Sequence, residues 1–440
     1  MVIASNARSA RSYAANEQLG VALIGVGGRG RWFAERVPQM ERVVALCDVD
    51  DLRAAPGLRH LPEGTPYYHD FRVMLDERCE EIDAVIISTP DHTHAVASAA
   101  AMRQGKHVFC EKPLTNTVRE SRILRDLART TGVATQMGNQ GTASGPFREA
   151  VGIIRGGHLG AIREVHVWNN GGGANRREPP AGDYDVPEHL HWDLWLGPAA
   201  FRPYHPLWMQ RNLWRDFGTG QLGNWATHSA NLAFMALEVD ALWQDPPGDA
   251  EPEPIRVEAE VEAVNRLSFP QWEVVRWHVP ARPGWPPITV TWHNGHAPGS
   301  RDLLEERMGE GLDWGDKGEM KWRDWAGTLI VGAEGSLNAN EHNTRYRLLP
   351  EDRFRDSAPP PSEMPRSPGH EREWFEACRG GPPAFSNFDY SGPLTEMLML
   401  GNVATQFPGT LDFDPQACRI TNHAEADAAL HRAYRGGWEL

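Results

Sequence analysis

A glycine-rich turn between an apolar strand and a helical segment places the strongest constraint on the fold of this chain. Gly25, Gly27 and Gly30 stand in G-x-G-x-x-G spacing within VALIGVGGRG, with Gly28 and Arg29 between them. In a strand–turn–helix unit the first glycine permits the tight turn, the second lets a pyrophosphate approach the backbone, and the third packs helix against strand. The segment therefore predicts a Rossmann-type unit with these five residues at the phosphates of a dinucleotide.

An acidic residue follows the next apolar strand at the spacing expected for ribose recognition. The strand RVVALC leads into Asp48, close to the roughly 20 residues beyond the turn at which dinucleotide-binding folds place a carboxylate. A carboxylate there accepts hydrogen bonds from the adenosine ribose and repels a 2′-phosphate. Asp48 therefore predicts NAD in preference to NADP, and a plain turn residue is the alternative interpretation of the same aspartate.

Apolar runs and amphipathic stretches alternate through the first third of the chain. VALIGV, RVVALC, AVIIST and HVFCEK are separated by segments of helical periodicity, which is typical of a parallel sheet covered on both faces. Beyond residue 140, strands such as 257–263 alternate apolar and polar residues, which indicates a half-exposed sheet. We predict an α/β chain with a doubly wound, parallel Rossmann domain over 18–140, followed by an α+β domain with an open, mostly antiparallel sheet over 141–440.

The composition argues against two classes of partner. A net charge of −15 and a pI near 5.6 leave too few clustered cations to neutralise nucleic-acid phosphates, and no apolar run approaches the ~20 residues of a membrane span. The five cysteines are scattered without a CxxC pair, which indicates reduced thiols. The first 18 residues hold no apolar signal core. We expect a cytoplasmic protein, or a periplasmic one if an export signal was removed upstream.

Further motifs follow the glycine turn in a fixed order. TPDHTHA (89–95) and VFCEKPL (108–114) end two strands, and MGNQG (137–141), HWDLWLGPA (191–199) and WRDFGTGQLGNWATH (214–228) come later. Together these motifs resemble the glucose–fructose oxidoreductase, inositol dehydrogenase and rhizopine-catabolism family, Gfo/Idh/MocA, along essentially the whole chain. The resemblance implies an NAD cofactor whose nicotinamide lies near Lys112, with further cofactor contacts from Thr89, Pro90, His94, Glu111 and Asn139.

The chemistry of alcohol oxidation is consistent with two catalytic residues. It needs a base for the hydroxyl proton and a cationic or hydrogen-bonding group for the developing alkoxide. The resemblance implies that a histidine of the second domain faces the nicotinamide, so we predict His228 as the base and Lys112 as the group that orients and stabilises the alkoxide. Relatives often carry an aspartate four residues before this histidine. This chain has Asn224 there, which can bond a sugar hydroxyl but adds no charge.

Aromatic and basic residues of the later motifs are weaker candidates for substrate binding. Indole rings stack on sugars and arginine binds hydroxyls or an acidic substituent, so beside Asn224 we predict substrate contacts from Trp168, Trp192, Tyr204, His205 and Arg215, with Trp208 in the same segments. Packing alone explains each of them equally well. His92 and His94 have metal-like spacing, but Asp91 is predicted to cap the following helix and the resemblance places this loop against the cofactor. No metal is expected.

Three classes of function remain open for this sequence. The leading hypothesis is an NAD-dependent dehydrogenase of a sugar or glycoside hydroxyl. The second is a glycoside hydrolase that uses NAD as a recycled catalyst, through transient oxidation at carbon 3, elimination and addition of water. The third, a non-catalytic sugar sensor, is disfavoured because Lys112 and His228 are both present. An exposed sheet face with alternating apolar residues further predicts a homo-oligomer, either a dimer or a tetramer.

Overall fold

The computed structural model of the chain describes residues 18–244, 253–311, 325–355 and 364–440. Structural statements below concern these residues. Residues 1–17, on which the expectation about the compartment partly depends, lie outside them. Within the described ranges, none of the helices combines the length and the apolarity that crossing a bilayer requires.

The first sheet has six parallel strands in the order β3-β2-β1-β4-β5-β6. Its strands are β1 Gly20–Ile24, β2 Arg42–Cys47, β3 Tyr67–Tyr68, β4 Ala84–Ile87, β5 His107–Cys110 and β6 Thr135–Met137, and the helices between them are α1 Gly30–Arg36, α2 Asp51–Leu58, α3 Phe71–Glu77, α4 Asp91–Arg103 and α5 Val118–Thr131. Strands β1 and β4 are buried along their whole length. The predicted doubly wound fold is confirmed, and its strand order reverses between β1 and β4, where such sheets bind ligands.

The second sheet has nine strands in the order β13-β12-β11-β7-β10-β9-β8-β14-β15. Its strands are β7 Ile162–Asn169, β8 Ile255–Val261, β9 Glu273–Val279, β10 Ile288–Asn294, β11 Ala326–Gly332, β12 Ser336–Asn340, β13 Tyr346–Leu349, β14 Leu411–Asp414 and β15 Arg419–Ile420. Every neighbouring pair is antiparallel except β7 and β10. The predicted open, mostly antiparallel sheet is therefore confirmed.

Helices pack against this sheet and extend back to the first domain. They are α6 Gly145–Arg155, α7 Trp192–Leu196, α8 Thr227–Ser229, α9 Asn231–Ala236, α10 Ser300–Met308, α11 Glu351–Phe354, α12 His370–Cys378, α13 Phe388–Ala404 and α14 Ala424–Ala428. Shorter 3₁₀ segments span Val37–Gln39, Gln140–Ala143, Pro206–Met209, Arg211–Leu213 and Val239–Trp243, and a π-helical turn spans Leu222–Ala226. Helix α13 is buried on nearly all sides, as expected of an apolar helix at the centre of a domain.

The two faces of the second sheet differ in chemistry. Val257 and Trp277 belong to the core, and the Trp277 indole donates to the Met397 carbonyl of α13 at 2.9 Å. The alternate residues form ion pairs on the other face, such as His278 with Glu258 at 3.4 Å. The premise of an apolar exposed face was therefore wrong for β8 and β9, because their apolar residues pack on α13. The homo-oligomer stays a prediction without that support.

A late helix returns to the first domain. Trp374, Phe375 and Cys378 of α12 pack in one cluster with residues of β1 and α1. The indole of Trp374 donates to the carbonyl of Ala134 at 3.2 Å. The boundary predicted at residue 140 separates the two sheets in sequence, whereas the packing of the first domain includes a helix from the other end of the chain.

Candidate active site

A cavity of about 460 Å³ lies at the carboxyl ends of β1, β2, β4 and β5 and receives residues from both halves of the chain. The predicted cofactor residues that line it are Gly25, Gly27, Gly28, Arg29, Asp48, Thr89, Pro90, His94, Glu111 and Lys112. Gly30 and Asn139 lie outside this lining. The cavity extends from the glycine turn to His228 of α8, so it joins the predicted cofactor and catalytic residues.

The glycine turn has the geometry that its spacing predicts. Gly25 has φ +81° and Gly28 has φ +49°, a region that residues with side chains rarely adopt. A Cβ on Gly30 would lie 1.8 Å from the Gly25 carbonyl oxygen, and one on Gly27 would lie 3.0 Å from the Arg53 carbonyl oxygen. Gly30 therefore brings α1 close to β1 rather than touching a ligand, whereas Gly25, Gly27 and Gly28 line the cavity, where the predicted pyrophosphate would lie.

Asp48 holds the glycine turn from the adjacent strand. Its Oδ2 accepts from the backbone N–H groups of Val26 at 2.8 Å and Gly27 at 3.1 Å, and its Oδ1 accepts from Asp50 at 3.1 Å. Burial raises the pKa of this carboxyl, and the backbone hydrogen bonds oppose the rise. Asp48 thus has a structural role in the turn and also lines the cavity. Its contact with a ribose stays a prediction.

Arg29 crosses the cavity beside the turn. Its Nε donates to Glu111 Oε1 at 2.9 Å, and its guanidinium lies 4.5 Å from the centre of the Trp32 ring. Glu111 follows β5, and Gly138 makes room for it because a Cβ there would lie 2.7 Å from the carboxyl group. This ion pair fixes the position of the loop that carries Lys112.

Lys112 contacts Asn224 from across the domain boundary. Its Nζ donates to Asn224 Oδ1 and to the Asn224 backbone oxygen, each at 2.7 Å. Burial lowers the pKa of Lys112 to about 8, although Glu111 and Asp91 act in the opposite direction. Asn224 therefore contacts the lysine and lies outside the cavity lining, and its contact with a substrate stays a prediction.

His228 lies directly after the π-helical turn that presents Asn224. Burial, followed by the charges of Lys112 and His342, holds the pKa of His228 well below its ordinary value. Its Nδ1 is buried and, among the described residues, finds no hydrogen-bond partner. The imidazole is therefore neutral at physiological pH and able to accept a proton, as the assignment of a base requires. π-Helical turns of this kind are frequent at functional sites.

Polar groups of the site that join distant segments were missed from the sequence, and Arg211 and His342 are the two discussed next. Arg211 lines the cavity and bonds Asp91, which also accepts from Thr219 Oγ1 at 2.7 Å. Burial acts to raise the pKa of Asp91, but Arg211 and its other partners outweigh it and lower the pKa. The predicted cap was wrong, since Pro90 occupies the N-cap of α4 and Asp91 is its first residue.

His342 is the second missed group. It lies in the turn between β12 and β13, lines the cavity, and has its ring 4.6 Å from that of His228, centre to centre. Its Nδ1 lies 3.3 Å from Glu341 Oε1. No local motif distinguishes this histidine, because the contact depends on how the second sheet packs on α8.

The tryptophans predicted to bind substrate lie in the packed interior. Trp168 is fully buried in a cluster with Leu304 and Leu329. Trp192 stacks on Trp195 at 4.8 Å, and Trp195 lines the cavity instead. Trp208 is buried in the same hydrophobic cluster as Trp192 and Trp195. The three predicted indoles lie outside the cavity lining, so their predicted substrate contacts stay predictions without support from their positions.

The polar members of the predicted substrate set also lie elsewhere. Tyr204 packs edge-on against Trp192, and His205 Nδ1 accepts from the Leu207 N–H at 3.0 Å. Arg215 donates to backbone oxygens of Asn265 and Ser268, and burial lowers its pKa to about 10. Each stabilises local structure, and none of the three lines the cavity.

Asn139 has a structural position as well. It is buried, and its Oδ1 accepts a hydrogen bond from Ser386 Oγ of the segment that precedes α13. The adjacent Gln140 lines the cavity. The cofactor contact predicted for Asn139 stays a prediction.

The histidines of the TPDHTHA motif do not form a metal pair. His94 has its ring nitrogens 2.8 Å from the Pro113 oxygen and 2.9 Å from the Thr89 oxygen, and His92 Nε2 lies 2.9 Å from the Trp195 oxygen. All three contacts are to backbone carbonyls. His94 fixes the loop that lines the cavity, while His92 joins the two domains.

Three other side chains have metal-ligand chemistry and lie near the cavity. Ligand atoms of Asp51, His69 and His191 are all within 4.8 Å of one another. The two imidazole rings, however, are stacked with centres 3.8 Å apart and planes only 30° from parallel. Rings in this arrangement do not both point at one ion at the roughly 2.0–2.1 Å distance of a zinc–nitrogen bond. The expectation of no metal therefore stays a prediction.

The strand order, the glycine cradle and the cavity together define a dinucleotide-binding domain joined to a second domain that closes the site. Residues 19–139 match the family model described as oxidoreductase family, NAD-binding Rossmann fold. Over the N-terminal domain this match confirms the predicted resemblance to Gfo/Idh/MocA and an NAD-type cofactor.

Curated relatives are similar over part of their length. A glycosyl hydrolase family 109 protein from Shewanella sp. is 34% identical over 125 residues, which covers 26% of this chain and 27% of that protein. An inositol 2-dehydrogenase from Salmonella paratyphi B is 27% identical over 198 residues, covering 43% of this chain and 58% of that protein. The chain thus aligns with about a quarter to somewhat over half of the length of these relatives.

Solved structures extend the similarity of the fold to both domains. An aldose-aldose oxidoreductase from Caulobacter crescentus is 18% identical and superposes with a TM-score of 0.57 over 90% of this chain and 100% of that one. An NAD-binding protein from Listeria innocua is 15% identical, with a TM-score of 0.56 over 90% of this chain and 97% of that one.

Proposed function

We propose that this protein is an NAD-dependent oxidoreductase that oxidises a secondary hydroxyl of a sugar or glycoside. One observation carries the proposal: the ammonium group of Lys112 and the neutral imidazole of His228 line the same cavity as the glycine turn. A base and a hydrogen-bond donor at one cavity are what alcohol oxidation requires. The names of the curated relatives support a substrate of the polyol or glycoside class.

The residues that would hold the cofactor are those of the cradle. Gly25, Gly27 and Gly28 would take the pyrophosphate, Asp48 the adenosine ribose, and Glu111 would fix the loop beside the nicotinamide. When bound, NAD supplies the acceptor for the hydride. The carboxylate of Asp48 favours NAD over NADP because a 2′-phosphate would meet a like charge.

The chain's own residues then handle the proton and the developing charge. Lys112 donates hydrogen bonds and would turn one of them from Asn224 to the substrate oxygen, stabilising the alkoxide character of the transition state. His228 accepts the hydroxyl proton. Trp195 and Trp225 line the same cavity and provide apolar surface for a sugar face.

Replacement of His228 tests the assignment. His228→Asn should lower the kcat of NADH formation from a panel of polyols and glycosides by roughly 10²- to 10⁴-fold, the usual contribution of a general base. His205→Asn is the matched control, because that histidine is buried outside the cavity. Equal rates for His228→Asn and the control would remove His228 from the mechanism.

A redox-neutral glycoside hydrolase is the second candidate. The Shewanella relative bears a glycosidase name, and the neutral Asn224 next to Lys112 adds no charge that commits the site to net oxidation. Aryl glycosides separate the two: release of the aglycone without accumulation of NADH supports hydrolysis, and NADH in proportion to product supports the dehydrogenase. Steady turnover of either kind excludes a sensor.

A further inference from the structure

The turn between β12 and β13 is hydrogen-bonded to α8, which carries His228, and to α9. Ser229 Oγ donates to the Glu341 backbone oxygen at 3.1 Å, and the Leu232 N–H donates to Asn343 Oδ1 at 3.2 Å. On its other side, a Cβ on Gly141 would lie 2.0 Å from the His342 carbonyl oxygen. The position of His342 is therefore set from two directions rather than by a free surface loop.

This turn brings a carboxylate–imidazole pair to the catalytic base. Glu341 Oε1 lies 3.3 Å from His342 Nδ1, and the Glu341 side chain is 15% exposed against 39% for His342. The His342 ring is 4.6 Å from the His228 ring and 5.6 Å from the Trp225 ring. His342 thus contacts the buried base on one side and the Glu341 carboxyl on another, and part of its side chain is exposed to solvent.

The surroundings of His228 make a retained proton unfavourable. Burial removes water from its imidazolium form, and Lys112 and Arg29 contribute positive charge towards it. Each turnover of an alcohol oxidation nevertheless leaves one proton on the base. A second group that accepts this proton would return His228 to its neutral form for the next cycle. Lys112 cannot be that acceptor while it is protonated, because an ammonium group has no lone pair.

We propose that His342, paired with Glu341, is a second acid–base group that takes the substrate proton from His228 and delivers it to solvent. The proposal rests on the proposed function. In the first transfer the substrate O–H bond breaks and an N–H bond forms on His228. In the second an N–H bond of His228 breaks as one forms on His342, which then releases the proton to water. Neither histidine changes oxidation state.

Kinetics of His342→Gln and Glu341→Gln test the relay. We expect kcat to fall roughly 10²-fold in His342→Gln, the lower end for acid–base catalysis, with KM little changed and with partial recovery on addition of imidazole. The matched control is His278→Gln, since His278 forms the same kind of pair with Glu258 at 3.4 Å on the outer sheet face. An unchanged kcat and pH profile, or a loss that imidazole does not rescue, would overturn the relay.

A spectroscopic measurement keeps the test independent of substrate. Burial acts to raise the pKa of Glu341, but the hydrogen bond from His342 and other contacts outweigh it and lower the pKa. Carbon-13 NMR of the Glu341 carboxyl should therefore show a higher pKa in His342→Gln than in the wild-type protein. If the Glu341 carboxyl has the same pKa in both proteins, the Glu341–His342 pair is refuted, and this result needs no known substrate. A wild-type enzyme that is inactive on every glycoside counts against the proposed function alone.

Discussion

Introduction of an aspartate at position 224 should move the pH dependence of catalysis. Lys112 Nζ lies 2.7 Å from Asn224 Oδ1, and burial lowers the pKa of Lys112 to about 8. A full negative charge next to an opposite charge shifts a pKa by about 1–3 units. In Asn224→Asp the pKa of Lys112 should therefore rise to roughly 9–11, which corresponds to about 1.4–4 kcal/mol in favour of the ammonium form.

The sign of the effect follows from the role given to the lysine. If the ammonium stabilises the alkoxide, wild-type kcat/KM has a limb that falls above pH 8, and in Asn224→Asp this limb moves to higher pH. The assay is NADH formation with one substrate between pH 6 and 10. Asn224→Ala, which loses the amide and adds no charge, should leave the limb near its wild-type position. An Asn224→Asp profile that overlays the wild-type profile would refute this reasoning.

Three further predictions concern the cofactor, stability and metals. Asp48→Asn should raise the Kd for NAD about tenfold or more, because hydrogen bonds to a charged group contribute about 1.5–3 kcal/mol. The ratio of the Kd for NADP to the Kd for NAD should fall in the same variant. Asp51→Asn is the control, and an equal Kd for NAD in the two variants would contradict the assignment of Asp48. The pKa of folded His228 lies well below that of an unfolded histidine, so the unfolded chain binds more protons below about pH 6.5 and the free energy of unfolding falls as the pH drops. In His228→Asn the free energy of unfolding, measured by urea denaturation between pH 5 and 7, should depend less on pH than in the wild-type protein. The same pH dependence in both proteins would contradict the lowered pKa of His228. Addition of Zn²⁺ should leave Tm unchanged, and a rise in Tm that disappears in His191→Asn would show that the stacked rings separate to bind metal.

Local patterns predicted the part of the molecule in which sequence neighbours are also neighbours in space. The glycine turn, the strand that precedes it and the aspartate after β2 lie within one strand–helix–strand unit, so spacing determines their geometry. The loop that carries Lys112 follows β5 for the same reason, because carboxyl ends of parallel strands meet at one edge of the sheet. The part of the cavity around the glycine turn and Lys112 could therefore be located from the sequence, whereas the contacts of these residues with a cofactor stay predictions.

The substrate half depends on packing between distant segments. In 190–215, helical turns are short and irregular, so no periodic pattern indicates that Trp195 and Arg211 face the cavity while Trp192 and Arg215 do not. His342 reaches the site only because the turn between β12 and β13 packs beside α8. Such contacts are tertiary, and a single sequence carries no local signal for them.

The two candidate functions differ in whether the cofactor must leave after each turnover. Next to Asp48, a short segment of the second domain forms backbone hydrogen bonds with the first domain. The Asp51 N–H donates to the His189 oxygen at 2.9 Å, and the His191 N–H donates to the Val49 oxygen at 2.8 Å. His189 Nδ1 also lies 3.0 Å from Asp50 Oδ1. A dehydrogenase must exchange its cofactor in every cycle, whereas a redox-neutral hydrolase regenerates NAD in place. We expect the hydrogen bonds of this segment, which lie next to Asp48, to slow that exchange. A cofactor dissociation rate slower than kcat would therefore favour the hydrolase, and a rate at least equal to kcat would be required of the dehydrogenase.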